Sequence, residues 1–221
     1  MAPAAAAAPD LSSLLSSLPE ALRTLAARGV QRSYRKGTLI IEEGSHGDTL
    51  YLLLRGKVKA FSSDARGREV TYGVYGAGDY FGEMSLDGGP RSASVIAEQA
   101  CVCAVLTRQS LHEHIAAEPE FAFELIGRVI RRARLATQSA RSMALLDVYG
   151  RLVQLLDSLA VVQADGTRVI SERLTHAEIA ARVGCSREMV SRLFKDLASG
   201  GYLDTVNAGA ITLHRHLPSS W

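Results

Sequence analysis

The chain has 221 residues, 47% of them apolar, and a formal net charge of +2, which is enough length and apolar content for two domains with separate cores. So even a charge neither demands nor excludes a nucleic-acid partner, because a local basic patch matters more than the total. Cys101, Cys103 and Cys185 are too few and too scattered for a disulfide framework, a zinc ribbon or a four-thiolate iron–sulfur cluster. No apolar run reaches the roughly 18 residues that a membrane span needs, so no membrane partner is expected, and the sparse cysteines make a reducing cytoplasm the simplest setting.

In chain order, MAPAAAAAPD lacks the basic start and apolar core of a signal peptide and reads as a disordered tail over residues 1–10. Leu14, Leu15, Leu18, Leu22 and Leu25 then recur at helical spacing, divided by Pro19. From Gln31 to Leu106 the pattern turns to short β-forming runs over 38–41, 49–54, 57–61, 70–75, 93–97 and 100–106, separated by glycines, which predicts a sandwich or roll. Cys101 and Cys103 alternate in the last run, so both face one side of a strand as buried structural thiols. A roll also suits a metal-binding lumen, but His46 is the only histidine between Gln31 and Arg108, too few donors for an imidazole–carboxylate site, and no metal is expected. Residues 111–125 return to a helical pattern, with His112 and His114 read as surface positions.

The stretch from Phe81 to Val95, FGEMSLDGGPRSASV, carries an acid and a lone arginine across a Gly-Gly-Pro turn. Gly82 removes bulk so that a ligand can approach the backbone, Glu83 can accept from a sugar hydroxyl, and Arg91 offers a planar fork suited to phosphate. Ser92 and Ala93 add hydroxyl or N–H donors to the same anion. From the residues alone, Glu83 and Arg91 serve equally well as a salt bridge.

Phe121 to Ala160 contains no proline and only Gly127 and Gly150, and reads as one long helix or two in tandem. Val129, Ala133, Ala136, Ala140 and Met143 keep the spacing of a coiled-coil seam, and the next position in that register is Asp147. A second stripe, Leu145, Tyr149, Leu152, Leu156 and Leu159, starts on another face, so a dimerising helix is expected to about Leu146 and a second helix from Asp147, whose short acid can cap it. A buried helix of a monomeric bundle is the alternative. Against it stand Arg128, Arg131, Arg132, Arg134 and Arg141, read as a solvated face.

Residues 174–198 divide at Gly184. Thr175 with Glu178 makes a capping box, Ile179 and Val183 point inward, and Ser186 caps a second helix with Val190, Leu193 and Leu197 inward. Arg187, Glu188 and Arg192 then point outward, where arginine can pair with guanine and glutamate with cytosine. A charged helical hairpin is the plainer alternative. Strands over 202–206 and 211–214, joined by a turn at Asn207-Ala208-Gly209, complete a winged helix, with His214, Arg215 and His216 near its end.

Both motifs resemble those of the Crp-Fnr family of bacterial transcription regulators, the first its phosphate-binding cassette and the second, through Val-Gly-Cys-Ser-Arg-Glu, its recognition helix. The loop between Glu83 and Arg91 is shorter than in many relatives. The resemblance implies an α+β chain: a jelly-roll-like cyclic-nucleotide-binding domain over residues 11–120, a dimerisation helix over 121–146 and a winged helix-turn-helix DNA-binding domain over 147–221. It implies a ligand set of Gly82, Glu83, Met84, Arg91, Ser92 and Ala93, with Glu83 on the ribose and Arg91 on the cyclic phosphate. Ala136 and Thr137 fall where the catabolite activator type holds adenine with two hydroxyls, of which only Thr137 keeps one. The implied DNA set is Thr175, Ser186, Arg187, Glu188, Ser191, Arg192 and Lys195, on palindromic double-stranded DNA with TGTGA-like half-sites. The implied effector is cAMP or another cyclic nucleotide, and the implied partners are a second copy of the chain and RNA polymerase. A regulator and not an enzyme is expected; a constitutive DNA binder, a cyclic di-GMP sensor and a nucleotide-binding module controlling a protein partner are the alternatives.

Overall fold

The computed structural model describes residues 11–16, 18–164, 166–206 and 210–218, so the expected tail over residues 1–10 and the turn at Asn207-Ala208-Gly209 lie outside the described residues. The chain forms two compact units, one built from the segments up to Ser62 and Tyr72–Arg132, the other from Ser63–Thr71 and the residues from Ala133 onward.

The first unit is a β-roll. Strands β1 (Val30–Tyr34), β2 (Leu39–Ile41), β3 (Leu50–Arg55), β4 (Val58–Ser63), β5 (Glu69–Tyr75), β6 (Tyr80–Phe81), β7 (Ser94–Ala97) and β8 (Cys101–Leu106) form two sheets, ordered β1-β8-β3-β6 and β2-β7-β4-β5. The period of two along β3 and β8 explains why both read as unbroken apolar runs. Leu50, Leu52 and Leu54, with Val102, Ala104 and Leu106, face the helices α1 (Leu11–Ser16), α2 (Glu20–Ala27) and α3 (Arg108–Ala117). Leu53, Cys101 and Cys103 point the other way, into the core between the sheets with Ile41, Val58, Phe81 and Val95. The two thiols thus share a buried face, as their alternation predicts.

The helical pattern over 111–125 is not one helix. It breaks at Glu118, whose backbone leaves the helical region before Pro119, and α4 (Glu120–Leu145) starts immediately after. β1 and β6 were not anticipated either: β1 is largely polar and exposed, and becomes a strand by pairing along β8 from Val30 opposite Val105 to Tyr34 opposite Cys101.

In the second unit the remainder of α4 is followed by α5 (Val148–Leu159), β9 (Val161–Val162), β10 (Arg168–Ile170), α6 (His176–Val183), α7 (Arg187–Ser199), β11 (Leu203–Val206) and β12 (Ala210–Leu213), with sheet order β11-β12-β10-β9. The break between α4 and α5 has the expected cause. Asp147 is the cap of α5, and its side chain accepts from the Gly150 N–H at 2.7 Å. Arg151 closes the same corner by donating to the carbonyls of Leu146 and Val183, both at 2.8 Å. The second stripe begins later than its spacing predicts: Tyr149, Leu152 and Leu156 enter a core with Ile179, Val190, Phe194 and Ile211, whereas Leu145 is 69% exposed. The seam residues Val129, Ala133, Ala136, Ala140 and Met143 are all exposed on this chain.

One buried polar group of the first unit departs from the sequence reading. His112 is exposed, but His114 is 1% exposed, edge-on to Phe121 at 4.9 Å, with neither ring nitrogen hydrogen-bonded. Burial pushes its pKa below the ordinary 6.5; the Arg28 cation adds to that, and Glu118 opposes it. The folded chain therefore holds a neutral imidazole, while the unfolded chain takes up a proton as pH falls through 6.5, so this group costs stability below that pH. His114→Leu should raise stability by about 1 to 3 kcal/mol near neutrality by removing the unpaired nitrogens. It should also flatten the loss of stability between about pH 7.5 and 5.5 in urea titrations followed by circular dichroism. An equally steep pH dependence in the variant would show that another group carries it.

Candidate functional site

Gly82 ends β6 with φ at +86°, a left-handed backbone, and starts a single 3-10 turn, Glu83–Ser85. The sequence reading gave Gly82 the role of admitting a ligand. The local packing independently requires a glycine: a Cβ there would lie 2.8 Å from Arg91 Nη1 and 2.9 Å from the Thr49 carbonyl oxygen. The turn is pinned to the loop before β3 by Ser85, whose hydroxyl donates to the Gly47 carbonyl at 2.6 Å. Arg91 is held by its backbone, its N–H donating to Ser45 O and its carbonyl accepting from the Gly44 N–H, both at 2.8 Å.

Glu83 and Arg91 are both 6% exposed, and they do not pair with each other. Arg91 Nη1 donates to Gly82 O at 2.7 Å and Thr49 O at 3.1 Å, and Nη2 to Thr49 Oγ1 at 2.9 Å. Its partners are thus neutral oxygens, and among the described residues it forms no ion pair. Burial pushes its pKa down, while Tyr51, Asp48 and Glu83 act to raise it. A buried guanidinium without a counter-charge is costly unless an anion completes it. Met84 is exposed and accepts from the Ser92 hydroxyl at 3.5 Å; Ala93 is half-buried. A hollow of about 310 Å³ beside the cassette is lined by His46, Gly47, Asp48, Ser85, Gly88 and Gly89.

The partner of Glu83 is a residue that the sequence reading placed in solvent. Arg132 of α4 makes an ion pair with Glu83 Oε1, donates to the Tyr80 carbonyl at 2.5 Å and lies over the Tyr75 ring at 4.6 Å. One turn earlier Arg128 pairs with Asp79 at 3.0 Å and stacks on Tyr80 at 4.3 Å. Their spacing of four was the available signal, since it sets both guanidinia on one helix face, distinct from the seam. The second oxygen of Glu83, Oε2, is buried with no hydrogen-bond partner. Ala136 and Thr137 are exposed on α4, and the Thr137 hydroxyl donates to the Ala133 carbonyl of its own helix at 3.0 Å.

In the second unit, both hydrogen bonds of the capping box form: Thr175 Oγ1 accepts from the Glu178 N–H at 3.2 Å, and Glu178 accepts from the Thr175 N–H at 2.6 Å. Gly184 ends α6 at φ +74°, and Ser186 caps α7 by accepting from the Met189 N–H at 3.2 Å. Val190, Leu193, Phe194 and Leu197 are buried, which leaves Arg187, Glu188, Arg192 and Lys195 exposed along the opposite face. The pKa of Glu188 is lowered by hydrogen bonds from its own backbone N–H and from Ser186. Ser191, a member of the implied DNA set, is half-buried and hydrogen-bonded to His176. The wing carries a cross-strand pair, His214 with Asp204 at 3.0 Å. Cys185 is half-buried against the core, and burial raises its pKa.

Residues 31–118 match the family model of the cyclic nucleotide-binding domain, and residues 150–216 that of the Crp-like helix-turn-helix domain. The cAMP-activated global transcriptional regulator CRP of Salmonella typhimurium is 32% identical over 171 residues, 74% of this chain and 80% of that protein. The CRP-like cAMP-activated global transcriptional regulator of Mycobacterium tuberculosis is also 32% identical, over 84% of each chain. Among solved structures, the c-di-GMP responsive global regulator CLP of Xanthomonas campestris superposes with a TM-score of 0.76 at 25% identity, over 88% of this chain and 98% of that one. With a cyclic-nucleotide fold in one unit and a capped helix-turn-helix in the other, the chain belongs to the Crp-Fnr family of DNA-binding transcription regulators.

Proposed function

We propose that the chain works as a homodimer whose affinity for a palindromic operator is set by a cyclic nucleotide, cAMP or a relative of it, bound at the cassette of the β-roll. The observation that carries this reading is the pairing of two unsatisfied groups in one buried place: the Arg91 guanidinium, with only neutral partners, and Glu83 Oε2, with none. A cyclic phosphodiester beside a ribose hydroxyl supplies an anion to the first and a donor to the second. Gly82, Met84, Ser92 and Ala93 border the same turn. Because Glu83 is ion-paired to Arg132, a ligand that engages Glu83 also acts on α4, and its differential affinity for two packings of that helix is the available coupling energy. The exposed seam of α4 supports self-association, and the outward row of α7 supports reading of TGTGA-like half-sites by Arg187, Glu188 and Arg192, with Lys195 on phosphate and Thr175, Ser186 and Ser191 completing the DNA set. Contact with RNA polymerase is carried by the family resemblance alone.

Calorimetric titration with cAMP, cGMP and cyclic di-GMP, followed by operator binding with and without each, tests the reading. Arg91→Leu should abolish the response while the chain still folds, at a loss of about 1.5 to 3 kcal/mol or more for the charge-assisted contact, and Glu83→Ala should weaken binding less. Unchanged affinities for all three nucleotides in both variants would reject the cassette as the site.

Ala136→Thr restores the hydroxyl that the resemblance associates with adenine, so it should sharpen preference for cAMP over cGMP. Identical preference in parent and variant would remove these two positions from the ligand set. On the DNA side, Arg187→Ala and Glu188→Ala should each relax one operator position at a cost of about 1 to 3 kcal/mol, whereas Lys195→Ala should weaken all sequences alike. Selection from random duplexes reads this directly, and recovery of asymmetric sites would reject it.

A further inference from the structure

A guanidinium carries five N–H donors in a planar fork, and in Arg91 three of them are occupied. Thr49 takes the end of the fork with two oxygens of one residue, its carbonyl 3.1 Å from Nη1 and its hydroxyl oxygen 2.9 Å from Nη2. The Gly82 carbonyl takes the other hydrogen of Nη1 at 2.7 Å. A guanidinium only donates, so the Thr49 hydroxyl is the acceptor in its bond. What remains is Nε–H and the second hydrogen of Nη2, which run parallel along one side of the fork and have no hydrogen-bond partner among the described residues. That side faces Gly47, where a Cβ would lie 2.9 Å from Nη2 and 3.4 Å from Nε. Gly47 does not have a left-handed backbone, so its conformation would admit alanine and only the space in front of Arg91 would not. The same glycine lines the hollow of about 310 Å³ beside the cassette.

We propose that Thr49 is the residue positioning Arg91, and that the side of the fork it leaves free, Nε–H with Nη2–H, meets the cyclic phosphate in the space that Gly47 keeps open; this rests on the reading of the cassette as a cyclic-nucleotide site. Two parallel N–H groups match two oxygens of a phosphodiester, which is the geometry that a single ammonium cannot reproduce. The Thr49 hydroxyl matters because of where it acts. The two carbonyls hold Nη1 alone and leave the plane free to pivot about that nitrogen, whereas the hydroxyl fixes a second point at Nη2. With the backbone of Arg91 also held by Ser45 and Gly44, the free side is aimed before a ligand arrives, and binding need not order a long side chain.

The test is calorimetry of the full chain with cAMP, cGMP and cyclic di-GMP, joined to nitrogen-15 NMR of the arginine Nε–H groups, with the Arg91 signal identified by its loss in Arg91→Lys. Thr49→Val keeps the shape and both carbonyls but removes the acceptor, and should weaken the tightest-bound of the three by about tenfold, the scale of one hydrogen bond to a charged group. Thr49→Ser should restore the parent's affinity. In an Arg91→Lys background, which keeps the charge without the fork, Thr49→Val should cost nothing further, an outcome that a merely structural role for Thr49 would not produce. Gly47→Ala should weaken binding at least as much as Thr49→Val, and the Arg91 Nε–H signal should move on saturation of the parent but not of Gly47→Ala. Parent affinity in Thr49→Val or Gly47→Ala, an undiminished Thr49→Val loss beside Arg91→Lys, or an unmoved Nε–H signal in the saturated parent would each overturn the inference. A parent that binds none of the three, or that binds as tightly after Arg91→Leu, would overturn it together with the cassette reading, whereas a parent that needs Arg91 but is indifferent to Thr49→Val would overturn this inference alone.

Discussion

The ion pair between Glu83 and Arg132 is the contact on which the first unit turns. A carboxylate whose side chain is 2% exposed stays charged only if something answers it, and the answer comes from α4, not from the arginine eight residues along the cassette. The same guanidinium donates to the Tyr80 carbonyl and lies on the Tyr75 ring, so one side chain ties α4 to the ends of β5 and β6. Arg128 repeats the arrangement a turn earlier on Asp79 and Tyr80. Removing one partner of such a pair leaves the other buried and uncompensated, which is why the contact constrains both the cassette and the helix.

A second consequence concerns Arg91. With Glu83 committed to Arg132, Arg91 is hydrogen-bonded among the described residues only to the neutral oxygens of Gly82 and Thr49. The cassette therefore separates its two charges: the acid is half-satisfied by a cation, and the cation is hydrogen-bonded through Nη1 and Nη2 yet not neutralised. Gly82 makes this arrangement possible, since a side chain at that point would occupy the space of Nη1.

The second unit depends on helix ends. Asp147, Thr175 and Ser186 each place an oxygen on free N–H groups, and Gly184 supplies the left-handed turn between α6 and α7. With the ends fixed, the buried row Val190, Leu193, Phe194 and Leu197 sets the rotation of α7, and the charged residues face outward as a result. Arg151 links the corner before α5 to the last turn of α6 through two carbonyls, so the caps of this unit are mechanically joined.

Local chemistry was legible in the sequence, because caps, glycine turns and strand alternation act over a few residues. The capping box at Thr175, the cap at Asp147, the shared face of Cys101 and Cys103 and most strands of the roll were all readable in this way. Pairings across long separations were not. Arg132 looked like one of several solvated arginines because nothing within its own helix reveals Glu83, 49 residues away. His114 looked exposed because its environment is assembled from α3 and Phe121. The polar strand β1 needed β8 to exist. The sequence alone thus determined the elements and their ends, for which the interacting atoms are chain neighbours. Tertiary structure decided which charges are paired, since a buried charge takes whichever partner the folded core brings within reach.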